Sequence, residues 1–209
     1  MGMGKLIWLL AAIGALGTAL AWSSQGGSRP PSPAAPVAAA PMELTLDPAA
    51  TRIEFTLGAT FHTVHGNFTL RDGNVHYDPG TGQAGGLIVV NAASGTTGNA
   101  DRDADMHNKV LEVARYPEIT FTPTRVLGAL PGPGRYTAEV EGVLRLHGAD
   151  HRLRVPVTVV ATAERLTARA QVTIPYVRWG LKDPSTFFLR VAKQAQFRLF
   201  IAGSLHPAH

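Results

Sequence analysis

The 209-residue chain contains no cysteine. This excludes a disulfide framework, thiol catalysis, iron–sulfur ligation and a lipid-modified cysteine at an export site. An exported domain of this sequence must therefore be stabilised by its own core.

A basic cluster is missing as well. The formal net charge is only +4, and the lysines and arginines are dispersed rather than interleaved with aromatic residues. We therefore predict no nucleic-acid partner and only a mild attraction to anionic membrane surfaces.

Recognisable catalytic machinery is also scarce. No Ser, His and Asp order or nucleophile elbow stands out, and the glycine-rich stretch from Gly80 to Gly86 lies in a turn rather than before a helix. The acids from Asp101 to Asp105 match the start of a calcium loop, but the glycine and the bidentate glutamate that should follow are missing. The sequence therefore predicts no enzyme, no metal site and no cofactor.

Two histidine pairs are the remaining candidates for chemistry. His62 and His65 are three residues apart on a predicted strand, and this odd spacing places the two rings on opposite faces. His147 and His151 flank a predicted hairpin turn, where cross-strand neighbours can converge, but zinc requires a third and usually a fourth ligand. The alternative that remains open is an enzyme acting on an apolar substrate through His62, His65 or His147.

The first 41 residues do not have the composition of a folded domain. Residues 1–22 start with one positive charge, continue as an apolar run from Leu6, and contain a small-x-small sequence at Ala19-Leu20-Ala21. This pattern predicts a signal peptide or, alternatively, a retained N-terminal membrane anchor. Residues 23–41 are rich in Ser, Gly, Pro and Ala, which predicts a disordered tether. Both alternatives place the remainder outside the cytoplasm, in the periplasm or tethered to the outer face of the inner membrane.

Period-two alternation of apolar and polar residues dominates residues 42–204. It predicts a mainly β fold of eight to nine antiparallel strands, which protect their edges best by closing into a barrel or a two-sheet sandwich. Asp72-Gly73 is predicted as a tight turn between two strands, and residues 205–209 as a tail.

One polar segment, residues 97–121, interrupts the strand pattern. Its composition predicts a short helical insert that begins at Asn99 or Asp101, because both side chains are good N-caps. Leu111 is expected to pack on the core, and Tyr116-Pro117 to end the insert before the next strand.

Small residues occupy the predicted inward face at Ala138, Gly142, Ala168 and Ala170. They are compatible with closely packed sheets or with a cavity. Composition alone favours close packing, because protein interiors are normally filled to crystal-like density.

An irregular aromatic segment precedes the last strand. Trp179, Phe187 and Phe188 either cover one end of the barrel or form the mouth of a cavity for an apolar chain. In the second interpretation Arg178 and Lys182 would lie near an anionic head group.

Several motifs occur in a characteristic order along the chain. They are Asp47-Pro48, Ile53-Glu54-Phe55, Thr63-Val64-His65-Gly66-Asn67-Phe68, Thr97-Gly98-Asn99 with Arg102-Asp103 and Met106, Leu111-Glu112-Val113, Tyr116-Pro117-Glu118-Ile119-Thr120-Phe121, Leu144-Arg145-Leu146-His147-Gly148 and Pro156-Val157. This ordered set resembles the YceI-like family of exported polyisoprenoid-binding proteins. The resemblance implies a lipocalin-like barrel with an elongated apolar cavity, and it reverses the expectation of a closely packed interior.

By this resemblance the chain is a non-enzymatic protein that carries or sequesters a long apolar ligand, such as an isoprenoid quinone, a polyprenyl lipid or a fatty-acid derivative. Residues predicted to line the cavity are Phe55, Leu57, Phe68, Val89, Phe121, Val140, Leu144, Val157, Ala170 and Val172; residues predicted at its mouth are Trp179, Phe187, Phe188 and Arg178. The alternatives are a periplasmic enzyme that uses cavity histidines and a structural barrel with a filled core. The predicted partners are a lipid and, through the N-terminal segment, a membrane. The oligomeric state stays open, a dimer included.

Overall fold

A computed structural model describes residues 40–128 and 132–208. The predicted signal peptide or anchor, and all of the predicted tether except Ala40 and Pro41, lie outside the described residues. Within the described ranges no helix is long and apolar enough to span a membrane.

The described chain folds into an antiparallel β-barrel. Its strand segments are β1 Met42–Leu46, β2 Arg52–Gly58, β3 Thr63–Phe68, β4 Leu70–Tyr77, β5 Ala84–Asn91, β6 Glu118–Leu127, β7 Gly134–Leu146, β8 Ala149–Ala161, β9 Arg165–Ile174 and β10 Ala195–Pro207. Neighbouring segments pair in the order β1-β4-β5-β6-β7-β8-β9-β10, and β1 pairs back onto β10. The sheet is therefore closed, and the predicted mainly β barrel is confirmed.

Two bent strands explain why ten segments make an eight-stranded barrel. The second half of β10 pairs with β1, while its first half pairs with β2, so β1 and β2 follow one another along the same neighbour. In the same way β3 and β4 are separated only by Thr69. Each pair acts as one strand of the barrel, in agreement with the predicted eight to nine strands.

Two predicted boundaries were wrong. Asp72-Gly73 is not a turn, because β4 runs through it with a bulge between Leu70 and Asp72. The prediction rested on the Asp-Gly pair, which favours two-residue hairpin turns, but here the pair follows a bulge within a continuous strand. The predicted tail is also shorter, since Leu205, His206 and Pro207 belong to β10 and pair with β1.

The barrel has two different ends. The β4–β5, β6–β7 and β8–β9 connections lie at one end, and the β2–β3, β5–β6, β7–β8 and β9–β10 connections lie at the other. This second end carries the polar insert between β5 and β6, the β7–β8 hairpin, the β2–β3 hairpin and residues 175–194 before β10. It is therefore the more heavily covered end.

The helical insert is built around local hydrogen bonds. It contains helix α1, Ala100–Asp105, and continues as one π-helical turn, Met106–Val110. Asn99 is the N-cap, as predicted, because its side-chain oxygen accepts a hydrogen bond from the Arg102 N–H at 2.9 Å. Leu111 is buried, also as predicted. The helix ends earlier than Tyr116 because Glu112 adopts a left-handed conformation with φ 49°.

Asp103 ties the start of the insert to the preceding loop. Its carboxylate accepts hydrogen bonds from the Thr96 hydroxyl at 2.8 Å and from the Thr97 N–H at 2.8 Å. Burial would raise the pKa of Asp103, but these bonds and one from the Thr97 hydroxyl outweigh it and lower the pKa below its ordinary value.

We expect the insert to loosen in acid. A carboxyl group whose pKa is lower in the folded state stabilises that state fully above its ordinary pKa, and the stabilisation is lost as the pH falls through the folded pKa. Amide exchange at Thr97, corrected for its intrinsic pH dependence, should therefore accelerate below about pH 4. In Asp103→Asn this acceleration of exchange in acid should be absent. The same acceleration in the variant would contradict the role given to the Asp103 carboxylate.

Gly142 in β7 is required by close packing. A Cβ built on Gly142 would lie 2.4 Å from Cζ of Phe121 and 2.6 Å from the Thr122 carbonyl oxygen. We expect Gly142→Ala to lower the free energy of unfolding by about 1–3 kcal/mol in urea denaturation, because the backbone contact cannot be relieved by rotating a side chain. Gly58→Ala is the control, since its Cβ would meet only Ala192 Cβ at 3.8 Å. Equal stability losses in the two variants would contradict this explanation.

Candidate functional site: an apolar cavity inside the barrel

The barrel encloses a cavity of about 460 Å³. Inward side chains from all ten strand segments line it, and β8 and β9 contribute the longest uninterrupted rows. On β8 these are Leu153, Val155, Val157, Val159 and Ala161, and on β9 they are Leu166, Ala168, Ala170, Val172 and Ile174. Because alternate residues of a strand face the same side, the period-two pattern of the sequence builds these rows directly.

Among the residues that the structure describes, no charged side chain lines the cavity. Its side-chain hydroxyl groups come from Thr51, Tyr77 and Thr162. The Thr51 hydroxyl accepts from the Ala202 N–H at 3.3 Å, so it is engaged by the backbone. Burial and the nearby Asp78 charge raise the pKa of Tyr77, which keeps its phenol neutral. The wall can therefore hold an apolar chain, but it offers nothing to neutralise a charged group.

The cavity opens at the end of the barrel with the short hairpins, hereafter the open end. Exposed residues of three segments line it there: Ala40 before β1, Pro133 in the β6–β7 connection, and Thr162 and Ala163 in the β8–β9 connection. The Thr162 hydroxyl accepts a hydrogen bond from the Arg165 N–H at 3.0 Å, which fixes the last of these turns. A ligand can therefore enter between these connections.

Three phenylalanines close the opposite end, hereafter the closed end. The ring centroids of Phe55 and Phe68 are 5.5 Å apart, and that of Phe197 lies 5.8 Å from Phe55 and 6.4 Å from Phe68. Gly66 makes room for this cluster, because a Cβ there would lie 2.4 Å from Cζ of Phe55. The cluster therefore bounds the cavity at this end.

Seven of the predicted lining residues face the cavity. They are Phe68, Phe121, Val140, Leu144, Val157, Ala170 and Val172. Three others do not line it. Phe55 and Leu57 share the inward face of β2 but lie at and beyond the closed end, and Val89 points away because its neighbours Ile88 and Val90 line the cavity.

The residues predicted at the mouth lie at the closed end instead. Trp179 stacks on His151 with ring centroids 4.0 Å apart, and Phe187, Phe188 and Arg178 are exposed. The four residues do not line the cavity. Their segment covers the closed end through buried Tyr176. Of the two roles that the sequence left open, a cover over one barrel end and a cavity mouth, the segment therefore has the first.

Tyr176 anchors this cover. Its hydroxyl donates a hydrogen bond to the Ala192 carbonyl at 2.7 Å, which joins the start of residues 175–194 to their end. Burial, aided by the Asp183 charge, raises the pKa of Tyr176 to about 12. The tyrosine therefore stays a neutral donor throughout the physiological pH range.

The candidate histidines are not cavity residues. Among residues 40–128 and 132–208, no histidine lines the cavity. His62 and His65 are exposed on the β2–β3 hairpin. His147 packs outside the barrel interior, with Nε2 3.5 Å from Glu112 Oε2 and its ring 4.4 Å from that of Tyr116. Across the same residues, no three His, Asp or Glu side chains are grouped closely enough to hold a metal ion.

Sequence reasoning missed the residues at the open end. Tyr77, Pro133 and Thr162 lie at strand ends or in turns, where alternation gives no direction to a side chain. It also missed Val126, because a register shift between Pro123 and Arg125 changes which residues of β6 face inward. The sequence did contain one signal for the residues at the open end. They lie in or next to predicted turns, and alternate turns of an antiparallel barrel share one end.

Fold and cavity together define a closed antiparallel barrel with an elongated apolar site that opens at one end. The model of the YceI-like domain family matches residues 44–201. The chain therefore belongs to this family, as the ordered motifs had indicated. No curated protein sequence matches the chain significantly.

Solved structures share the fold at low sequence identity. A polyisoprenoid binding domain from Saccharophagus degradans, implicated in plant cell wall breakdown, is 16% identical with a TM-score of 0.58, covering 77% of this chain and 97% of its own. Burkholderia cenocepacia BcnA is 20% identical with a TM-score of 0.61 and coverages of 75% and 98%. The Campylobacter jejuni YCEI protein is 14% identical with a TM-score of 0.56 and coverages of 69% and 86%.

Proposed function

We propose that this protein binds a long apolar ligand in the barrel and carries or sequesters it outside the cytoplasm. The observation that carries the proposal is the cavity of about 460 Å³, whose wall contains no charged side chain within residues 40–128 and 132–208. Its volume falls within the roughly 300–1,000 Å³ typical of small-molecule sites. The S. degradans relative, described as a polyisoprenoid binding domain, supports the same class of ligand.

The ligand enters with its apolar end first. A charged or strongly polar head group is not accepted by the wall, so it stays at the open end near Tyr77 and Thr162. Isoprenoid quinones, polyprenyl lipids and fatty-acid derivatives all have a long apolar chain with one polar end. Each methylene group buried in the cavity contributes about 0.8 kcal/mol before the costs of association.

Lipid extraction and native mass spectrometry of the purified protein test this proposal. We expect the native mass to exceed the chain mass by that of one lipid, and the extract to contain the same lipid. Delipidated protein should bind a hydrophobic fluorescent probe that an added polyprenol displaces. Recovering no lipid, together with no probe binding, would overturn the proposal.

Transport out of the cytoplasm rests on the apolar run and the small-x-small sequence of residues 1–22. Sequencing the N-terminus of protein from the periplasmic and membrane fractions tests it and separates the two alternatives. A new N-terminus after Ala21 indicates a cleaved signal, whereas an intact N-terminus in the membrane fraction indicates an anchor. Finding the protein only in the cytoplasm would overturn this part of the proposal.

A further inference from the structure

Three phenylalanines are almost fully exposed at the closed end. Phe61, Phe187 and Phe188 are 83%, 87% and 83% exposed, whereas the other large apolar residues described as exposed, Leu87 and Val160, reach only 46% and 39%. We refer to the three phenylalanines as the Phe tip. Single exposed apolar residues are normal on protein surfaces, but a cluster of large ones indicates an interaction site.

Backbone hydrogen bonds bring the two parts of the tip together. Phe61 lies in a turn closed by the Ala59 N–H and the His62 carbonyl at 2.9 Å. The Thr60 N–H donates to the Arg190 carbonyl at 2.9 Å, and the Arg190 N–H donates to the Thr60 hydroxyl at 2.8 Å. The turn of the β2–β3 hairpin is thereby fixed beside the loop that carries the other two rings.

Phe187 and Phe188 occupy the centre of a second turn. The Thr186 N–H donates to the Leu189 carbonyl at 2.8 Å, and the two rings meet edge to face with centroids 5.1 Å apart. Central turn positions usually hold Gly, Pro, Asn, Asp or Ser, since these residues favour the turn conformation. Phenylalanine at the centre of both turns therefore presents its ring to solvent rather than to the core.

The segment that carries Phe187 and Phe188 is basic. Residues 175–194 contain Arg178, Lys182, Arg190 and Lys193 but only one acid, Asp183. The four basic residues are exposed. Asp183 is half-buried, accepts a hydrogen bond from the Ser185 N–H at 2.9 Å, and places Oδ2 3.9 Å from Nζ of Lys193, so it offsets one of the four positive charges. Lysine and arginine close to an anionic membrane surface are attracted to it, and aromatic rings insert at the boundary between head groups and acyl chains.

We propose that the Phe tip docks this protein on an anionic lipid bilayer, with the open end of the cavity pointing away from that bilayer. The size of the tip favours a lipid surface over a second copy of the chain. Three phenylalanine side chains offer about 450–750 Å² at about 150–250 Å² each, which is less than the roughly 800 Å² per partner of a stable protein interface. The orientation follows because the tip and the open end lie at opposite ends of the barrel.

A polarity-sensitive label tests the docking independently of the N-terminal segment. The chain contains no cysteine, so Phe187→Cys and Glu164→Cys each provide one unique labelling site, at the tip and at the open end. Glu164 is exposed in the β8–β9 connection and does not line the cavity. With vesicles of phosphatidylcholine and phosphatidylglycerol, the label at position 187 should shift to an apolar spectrum, while that at 164 stays aqueous. Neutral phosphatidylcholine vesicles should give a smaller shift. A label at 187 that stays aqueous on vesicle-bound protein, or that turns apolar without vesicles through self-association, would overturn the proposal.

Affinity measurements on matched variants provide the second test. The labelled Phe187→Cys protein serves as the background for the double variant Phe61→Ser with Phe188→Ser. This double variant should raise the vesicle concentration needed for half of the spectral shift by at least about tenfold, because two rings that would enter the bilayer are lost. The control variant, Leu87→Ser with Val160→Ser, removes two exposed apolar residues from the barrel wall. It should leave this vesicle concentration unchanged. Equal effects of the two double variants would overturn the assignment of the tip.

Discussion

Ala170→Phe is expected to abolish most ligand binding without unfolding the barrel. Ala170 lines the cavity and lies beside Val157 of β8 and Leu199 of β10, which line it too. A phenyl ring at this position occupies space that the ligand needs. Excluding two or three methylene groups costs about 2 kcal/mol at about 0.8 kcal/mol each, which corresponds to roughly thirtyfold weaker binding. Titration of delipidated protein with a polyprenol measures this.

The matched control for this variant is Val160→Phe. Val160 lies on β8 next to lining residues but faces outward, with 39% of its surface exposed. We expect Val160→Phe to bind as the wild type does. Both variants should unfold at temperatures close to that of the wild type. The ring of Ala170→Phe fills empty space in the cavity, and the ring of Val160→Phe is solvated on the outside of the barrel. Full binding by Ala170→Phe would show that the ligand does not occupy the middle of the barrel.

Phe68→Ala is expected to have the largest effect on stability and to change chain-length selectivity. Phe68 is buried, lines the cavity, and packs on Phe55 and Phe197 at the closed end. Truncating a buried phenylalanine typically costs about 3–5 kcal/mol, part of which is due to the space left behind. Because that space is continuous with the cavity, the preferred ligand should become longer.

Phe68→Leu keeps this prediction testable if the alanine variant is too unstable. Leucine restores most of the apolar volume, so stability should recover while a smaller shift toward longer chains remains. A series of polyprenols or fatty-acid amides of increasing length, titrated into each variant, measures the preference. An identical length preference in wild type and both variants would show that the phenylalanine cluster does not set the depth of the site.

The strand pattern was predictable because each inward row obeys the same period of two. On β8 from Leu153 onward and throughout the inward row of β9, every second residue is aliphatic and lines the cavity, so the faces could be assigned from the sequence. The errors occurred where this period breaks. The Asp72-Gly73 pair beside a bulge imitated a turn, and the register shift after Pro123 hid Val126. Local counting of residues cannot recover a register that depends on the neighbouring strand.

Whether the barrel is filled or hollow could not be decided from composition. Ala168 and Ala170 leave space in the cavity, but the still smaller Gly142 is covered by the ring of Phe121. The difference depends on which side chain lies opposite, a tertiary contact that strand alternation does not specify. Only the resemblance to the YceI-like family pointed to a cavity.

Two of the motifs that carried this resemblance contact one another at the closed end. Glu112 of the insert and His147 of the β7–β8 hairpin both have positive φ, 49° and 52°, and their side chains meet at 3.5 Å. Gly148 allows Tyr116 to approach, since a Cβ there would lie 2.6 Å from its Cε1. These motifs therefore dock the insert on the hairpin, a structural role that the sequence alone left open between packing and chemistry.

The central claim is that the ligand lies inside the barrel, and methyl NMR with alanine labelled at Cβ tests it most directly. Ala168 and Ala170 face the cavity, whereas Ala92 is just as well buried but lies outside the cavity wall. On addition of a polyprenol to delipidated protein, we expect nuclear Overhauser contacts from the chain to the methyl groups of Ala168 and Ala170 and none to that of Ala92. Saturable binding without contacts to Ala168 and Ala170 would contradict the account.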